Sequence, residues 1–135
     1  MKYLKLFEDH NYTLPQDIVR NLKDICLELN DEYVETVCEY YPKIVSKISN
    51  TVSGGFISVG MEKMDITDYD DVLSWGDVSE TISRIVEYLK SENWKLSSVN
   101  IDGEDINNPE KWLDNMRFKQ EYSFWGLTMH FVEFN

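Results

Sequence analysis

Apolar residues recur at helical spacing in two stretches of the chain and at strand-like spacing in several others. In the first helical stretch Ile18, Leu22, Ile25 and Leu29 stand four, three and four residues apart, and Val19 and Cys26 widen the stripe. That spacing gathers them on one face of an α-helix. Its start is marked by Thr13 as a cap, by Pro15 in the first turn, and by Gln16 where a capping box takes Glu or Gln. In the second stretch Val78, Ile82, Ile85 and Leu89 repeat the spacing, with Val86 in the place of Val19. Either Asp77 with Glu80 or Ser74 with Asp77 supplies its start signal.

Strand-like material follows each helix. Tyr33–Tyr41 is rich in Tyr, Val and Thr and is ended by Pro42, and Phe56–Met64 is its expected partner, entered through a turn at Ser53-Gly54-Gly55. Between them Lys43–Val52 fits either a further strand or a long loop. Trp94–Ile101 predicts a strand that ends at the tight-turn dipeptide Asp102-Gly103. Asn108-Pro109 then opens a short helix carrying Trp112, Leu113 and Met116. The aromatic and β-branched stretch Phe118–Phe134 closes the chain, with Gly126 as a bulge or a hairpin turn.

The order is helix, strand, strand, twice over. It matches two αββ halves, either a duplication or the ordinary consequence of two amphipathic helices in one α+β domain. The predicted architecture is α+β: one antiparallel sheet of four to six strands with both amphipathic helices on one face. Residues 1–12 form a lead segment and residues 13–135 one domain.

Composition agrees. The chain has 135 residues, 42% hydrophobic and 13% aromatic, enough for one packed core without disulfide staples. Cys26 and Cys38 sit among apolar residues and are expected as free thiols in a reducing compartment. The apolar residues of Met1–Glu8 are too interrupted for a signal h-region, and no apolar run approaches the ~18 residues of a membrane span. These features predict a cytoplasmic protein that does not enter membranes.

The net charge of −12, from 25 acidic and 13 basic side chains, changes the picture of partners. Phosphate backbones and anionic lipid surfaces repel such a field, and the basic residues are scattered singly, so direct nucleic-acid and membrane binding are disfavoured. A basic protein surface is compatible with it.

Candidate chemistry is sparse. His10 lies in the polar lead before the first helix and His130 in the final strand; neither has a recognisable nucleophile or orienting partner, and no Gly-x-Ser-x-Gly turn occurs. His130 reads as an ordinary strand residue before it reads as a general base. No Cys-x-x-Cys or His-x-x-x-His spacing points to a metal. Asp65–Asp71 has the carboxylate density of a calcium loop without its glycine or its terminal Glu. Asp102, Glu104 and Asp105 fail in the same way. Gly54, Gly55 and Gly60 form no phosphate loop. No catalytic constellation, cofactor or metal is expected.

What remains is surface character. From Glu62 to Glu80 the chain carries seven carboxylates against one lysine, with Tyr69 and Trp75 interleaved. A solvated loop explains that density, as does a contact surface in which charge steers and aromatics anchor. The contact reading assigns partner binding to Glu62, Asp65, Asp68, Tyr69, Asp70, Asp71, Trp75 and Asp77. Tyr40-Tyr41 and the Tyr122, Phe124, Trp125 group pose the same choice, with burial the commoner fate of strand aromatics.

The opening Met1-Lys2-Tyr3-Leu4-Lys5-Leu6-Phe7-Glu8 resembles the start of many short orphan proteins of large tailed bacteriophages. The remainder of the chain is similar to them in character, being acidic and rich in Asn, Asp and Tyr, with an αββ rhythm. The specific match is confined to those opening residues, so it carries over no site. It implies a context in which small acidic phage proteins occupy host proteins, defence enzymes among them, sometimes by imitating the charge of nucleic acid. The leading expectation is thus a non-enzymatic protein of the host cytoplasm that engages or inhibits a host protein through an acidic surface. The alternatives are a small-molecule or nucleotide-signal sponge, using its aromatics with a basic patch from Lys43, Lys47 and Lys63, and a structural component that assembles as a homo-oligomer.

Overall fold

A computed structural model describes residues 14–32, 34–42, 44–46, 51–53, 55–63 and 72–134. Helix α1 (Pro15–Cys26) begins with Pro15 in its first turn and has Leu14, not Thr13, at the cap position, with no side-chain cap bond. Thr13 lies outside the described residues. The helix gives way to a 3-10 turn over Leu27–Glu32. Ile18, Leu22, Cys26 and Leu29 form the buried stripe, and Ile25 is only partly buried. Helix α2 (Trp75–Ser91) buries Val78, Ile82, Ile85 and Leu89 as their spacing predicts, together with Trp75 and Thr81. Ser74 holds its cap position, but the Ser74 hydroxyl donates to the Gln120 carbonyl at 3.0 Å instead of capping the helix.

Five strands make the main sheet, all antiparallel, in the order β1 (Val34–Tyr41), β4 (Phe56–Lys63), β9 (Gly126–Glu133), β6 (Trp94–Ile101), β7 (Glu104–Asp105). Each helix precedes its own strand pair, and the two pairs meet along β4 and β9, where Val59 stands opposite Met129. The fold is α+β, with both amphipathic helices on one face of the sheet. Two small sheets flank it, β2 (Ile44–Ser46) with β3 (Thr51–Ser53), and β5 (Leu73–Ser74) with β8 (Ser123–Phe124).

Two turn expectations change. Ser53 belongs to β3, and Ile44 opposite Ser53 keeps the register of Tyr41 opposite Phe56. So β2 and β3 extend the β1–β4 hairpin, and Ser53 of the expected Ser53-Gly54-Gly55 turn is paired strand, while Gly54 lies outside the described residues. Pro42, which lacks an N–H, interrupts the ladder, and Gly55 donates to the Tyr41 carbonyl at 2.8 Å. Gly126 is neither a bulge nor a hairpin turn. It begins β9, and β8 before it pairs with β5. By contrast Asp102 and Gly103 do form the tight turn between β6 and β7, both with positive φ (53° and 89°).

Helix α3 (Pro109–Met116) has Asn108 at its cap, its side chain accepting from the Lys111 N–H at 3.4 Å. It adds Met116 to the core and packs Trp112 and Leu113 against it. One polar link joins α2 to the 3-10 turn: Glu28 accepts from the buried Thr81 hydroxyl at 2.6 Å and pairs with Arg84. Among the described residues no helix is long and apolar enough to cross a membrane.

Cys26 on α1 and Cys38 on β1 are free, buried and in contact through their thiols. Cys38 is pushed well above the ordinary thiol range, first by its hydrogen bond to Cys26 and then by burial. Cys26 is shifted the other way, lowered by the same hydrogen bond, so burial is what shields both thiols. Both should resist a water-soluble disulfide reagent in the native protein and react in urea, which a colorimetric thiol assay reads directly. Phe131, with no exposed surface, packs at the centre of the core. Phe131→Ala is expected to lower stability by about 3–5 kcal/mol in urea titration, by lost burial and the cavity left behind.

Candidate functional site

The pleat gives the sheet one buried face and one open face. On β4 and β9, Ile57, Val59, Met61, Leu127, Met129 and Phe131 point to the helices and are at most 2% exposed. The residues between them face away, and the strand registers arrange them in rows across the open face. One row is Tyr41, Phe56, Val132, Lys95. The next is Glu39, Ser58, His130, Ser98. A third runs Val37, Gly60, Thr128, Asn100, Asp105. The last is Glu35, Glu62, Gly126.

These rows divide the face into two ends. At one end the Tyr41 ring stacks on Phe56 (centroids 4.8 Å apart, planes at 22°), and Phe56 meets the His130 ring at 4.6 Å and 38°. The ladder crosses three strands. At the other end small side chains, with Gly60 and Gly126 among them, leave a groove of about 400 Å³. Glu35, Glu62 and Asp102 line it, with Val37, Asn100 and Thr128. No lysine or arginine is among its described lining residues.

Asp102 is held there by structure: its Oδ1 accepts from the N–H groups of Trp125 and Gly126, at 2.8 and 2.9 Å. Glu35 and Glu62 stand directly opposite each other on neighbouring strands. Like charges in that relation are destabilising. Tyr41 donates its hydroxyl to Glu39 at 2.7 Å, and that carboxylate holds the Tyr41 hydroxyl above its ordinary value.

Among the sequence-predicted contact residues, the described ones, Glu62, Trp75 and Asp77, do not gather in one place. Glu62 is in the groove, whereas Asp77 is exposed in the first turn of α2. Trp75 is a core residue, 2% exposed, edge-to-face with Trp112 at 5.5 Å, and it offers no surface to a partner. The interleaved-aromatic pattern misled there because the helix begins at Trp75 and turns its ring inward. Asp65, Asp68, Tyr69, Asp70 and Asp71 lie outside the described residues. So do Lys43 and Lys47 of the suggested basic patch, while Lys63 is half-buried.

Of the strand aromatics, Phe124 is buried, whereas Tyr41, Tyr122 and Trp125 are 43%, 40% and 50% exposed. As contact residues, sequence reasoning did not name Glu35, Glu39, Val37 or Asp102. Alternation along Tyr33–Tyr41 contained the signal for the first three, since Val34 and Cys38 on one face place Glu35, Val37 and Glu39 on the other.

His130 has Phe56 as its ring contact and stands between Ser58 and Ser98 in its row. No group of three or more His, Cys, Asp or Glu among the described residues could hold a metal ion. Compared with known proteins, the chain matches no family model, no curated protein and no solved structure.

Burial depresses the His130 imidazole below its ordinary value. The folded protein then binds this proton less readily than the unfolded chain. The His130 contribution to stability is present above the ordinary imidazole value and lost as pH falls through the lower, folded one. A proton-resolved titration should place His130 below 6.5. Between about pH 8 and about pH 5, His130→Gln should lose less stability than the natural protein.

Proposed function

We propose that this protein is a non-catalytic binding protein that engages a basic partner protein on the open face of its sheet. The observation that carries this reading is the direct opposition of Glu35 and Glu62 beside Asp102 in the groove. Such a pair weakens the free protein and becomes favourable when a Lys or Arg of a partner lies between the carboxylates. Exposed Val37 and Tyr41 supply apolar contact next to the charge, the combination that protein interfaces use for anchoring and steering. A net charge of −12 favours the same sign of partner at longer range. The phage-like opening supports a host protein as that partner, with occupation of it as the effect.

A second reading takes the Tyr41–Phe56–His130 ladder as a stacking platform for a small planar ligand such as a nucleotide signal. A thermal-shift screen with cyclic and linear nucleotides tests it, since a ligand of the folded state must raise the melting temperature.

The main reading predicts opposite effects on stability and binding. Glu62→Gln removes the like-charge opposition and should raise stability by on the order of 0.5 kcal/mol in urea titration. The same change should weaken recovery of a partner from bacterial lysate, and Glu35→Lys with Glu62→Lys should abolish it. Recovery should fall as salt rises. Absence of any salt-sensitive partner, or its equal recovery by the charge-reversed protein, would reject the reading.

A further inference from the structure

The two edges of the main sheet are built differently. At one edge β7 is two residues long, and the Ile106 N–H just after it returns to the Val99 carbonyl at 2.9 Å. At the other, β1 is eight residues long and, among the described residues, pairs only with β4. Its outer row of backbone N–H and C=O groups has no strand partner among the described residues. Edge strands are commonly guarded by shortness, a bulge, a proline, charged side chains or an inward-pointing charge. Of these β1 has only charged side chains, Glu35 and Glu39, both acidic and both on the open face; its register with β4 is unbroken from Val34 to Tyr41, and inward-facing Val34 and Cys38 are buried and uncharged.

Charge on β1 is confined to the open face and has one sign. Glu35 and Glu39 flank Val37, which is 50% exposed. Tyr41 is fixed beside them by its hydrogen bond to Glu39 and its stack on Phe56.

We propose that β1 is a docking edge for an extended basic segment of the partner protein, which adds to the sheet as a further strand. The inference rests on the protein-binding reading above and specifies the partner's chemistry. Residues of an added strand alternate faces, so those opposite Glu35, Val37 and Glu39 come at every second position. The complementary pattern is therefore basic-x-apolar-x-basic, with main-chain hydrogen bonds supplying affinity and the alternate side chains supplying selectivity. A cation reaching past Glu39 would lie over the Tyr41 ring, a further favourable contact. A second copy of β1 fits poorly, because it has no basic residue to set against the glutamates and brings a second charge of −12.

The probe is a synthetic peptide, Thr-Lys-Thr-Val-Thr-Lys-Thr with blocked ends, titrated calorimetrically into the full chain. Two further versions carry N-methyl groups on one or the other alternate set of amides, which keeps the charge and removes one edge of hydrogen-bond donors. The plain peptide should bind and slow the amide exchange of residues 34–41. One N-methylated version should bind at least about tenfold more weakly and the other like the plain peptide. Glu35→Lys with Glu39→Lys, checked for an unchanged circular dichroism spectrum, should weaken binding by a similar factor.

Equal binding of all three peptides would overturn strand addition and leave the acidic-face reading standing. So would failure of every peptide to bind a protein that still captures a salt-sensitive partner. Failure of both peptide binding and partner capture would reject both. A dimer in light scattering that Val37→Lys disperses would assign the edge to a second copy and overturn the proposal.

Discussion

The antiparallel pairing of β4 with β9 is the contact on which the other parts of the molecule depend. It joins the two helix-strand-strand units at Val59 and Met129, and it commits both strands to a single buried face. Because the side-chain period of a strand is two, a slip of one residue would move every buried residue of one strand to the open side. Ile57, Val59, Met61, Leu127, Met129 and Phe131 make such a slip prohibitive, at roughly 1.5–3 kcal/mol of burial for each large side chain. The helices then have one place to go. Their stripes close over this face, and the Glu28 link to Thr81 and Arg84 fixes α2 beside the turn that follows α1.

The open face follows from the same constraint. Once the odd-numbered positions of β4 and β9 are buried, Phe56, Ser58, Gly60, Glu62, Thr128 and His130 must share the other side. Their sorting into an aromatic ladder and an acidic groove is a matter of register, since neighbouring strands bring Tyr41 to Phe56 and Glu35 to Glu62. A protein selected for stability alone has little reason to keep two carboxylates in direct opposition beside a third. Local departures of this kind are where binding surfaces are usually found. This makes the face, and not the acidic stretch after β4 as a whole, the centre of the functional reading.

Much of the fold was legible in the chain. Both long helices, β6 to its last residue, the Asp102-Gly103 turn and the Asn108-Pro109 helix start were readable because each depends on local chemistry: periodicity, positive φ, a cap. Less legible were features set by distant residues. Ser53-Gly54-Gly55 has turn chemistry, yet the strand pairing continues through Ser53 because Tyr41 and Ile44 hold one register across Pro42. Trp75 has the company of an interface residue and the position of a core residue, and only Trp112 and Phe124, folded against it, decide between them.

By itself the sequence determined the class of the molecule: an acidic α+β domain whose two amphipathic helices must cover an antiparallel sheet. That much is carried by periodicity and composition, which act over a few residues or over the whole chain at once. Tertiary structure alone decided where the charge matters. Glu35 and Glu62 are 27 positions apart in sequence and directly opposed in space, and Asp102 reaches the same groove through backbone N–H groups of Trp125 and Gly126. No local pattern announces such a meeting, because it is set by which strand lies beside which and in what register.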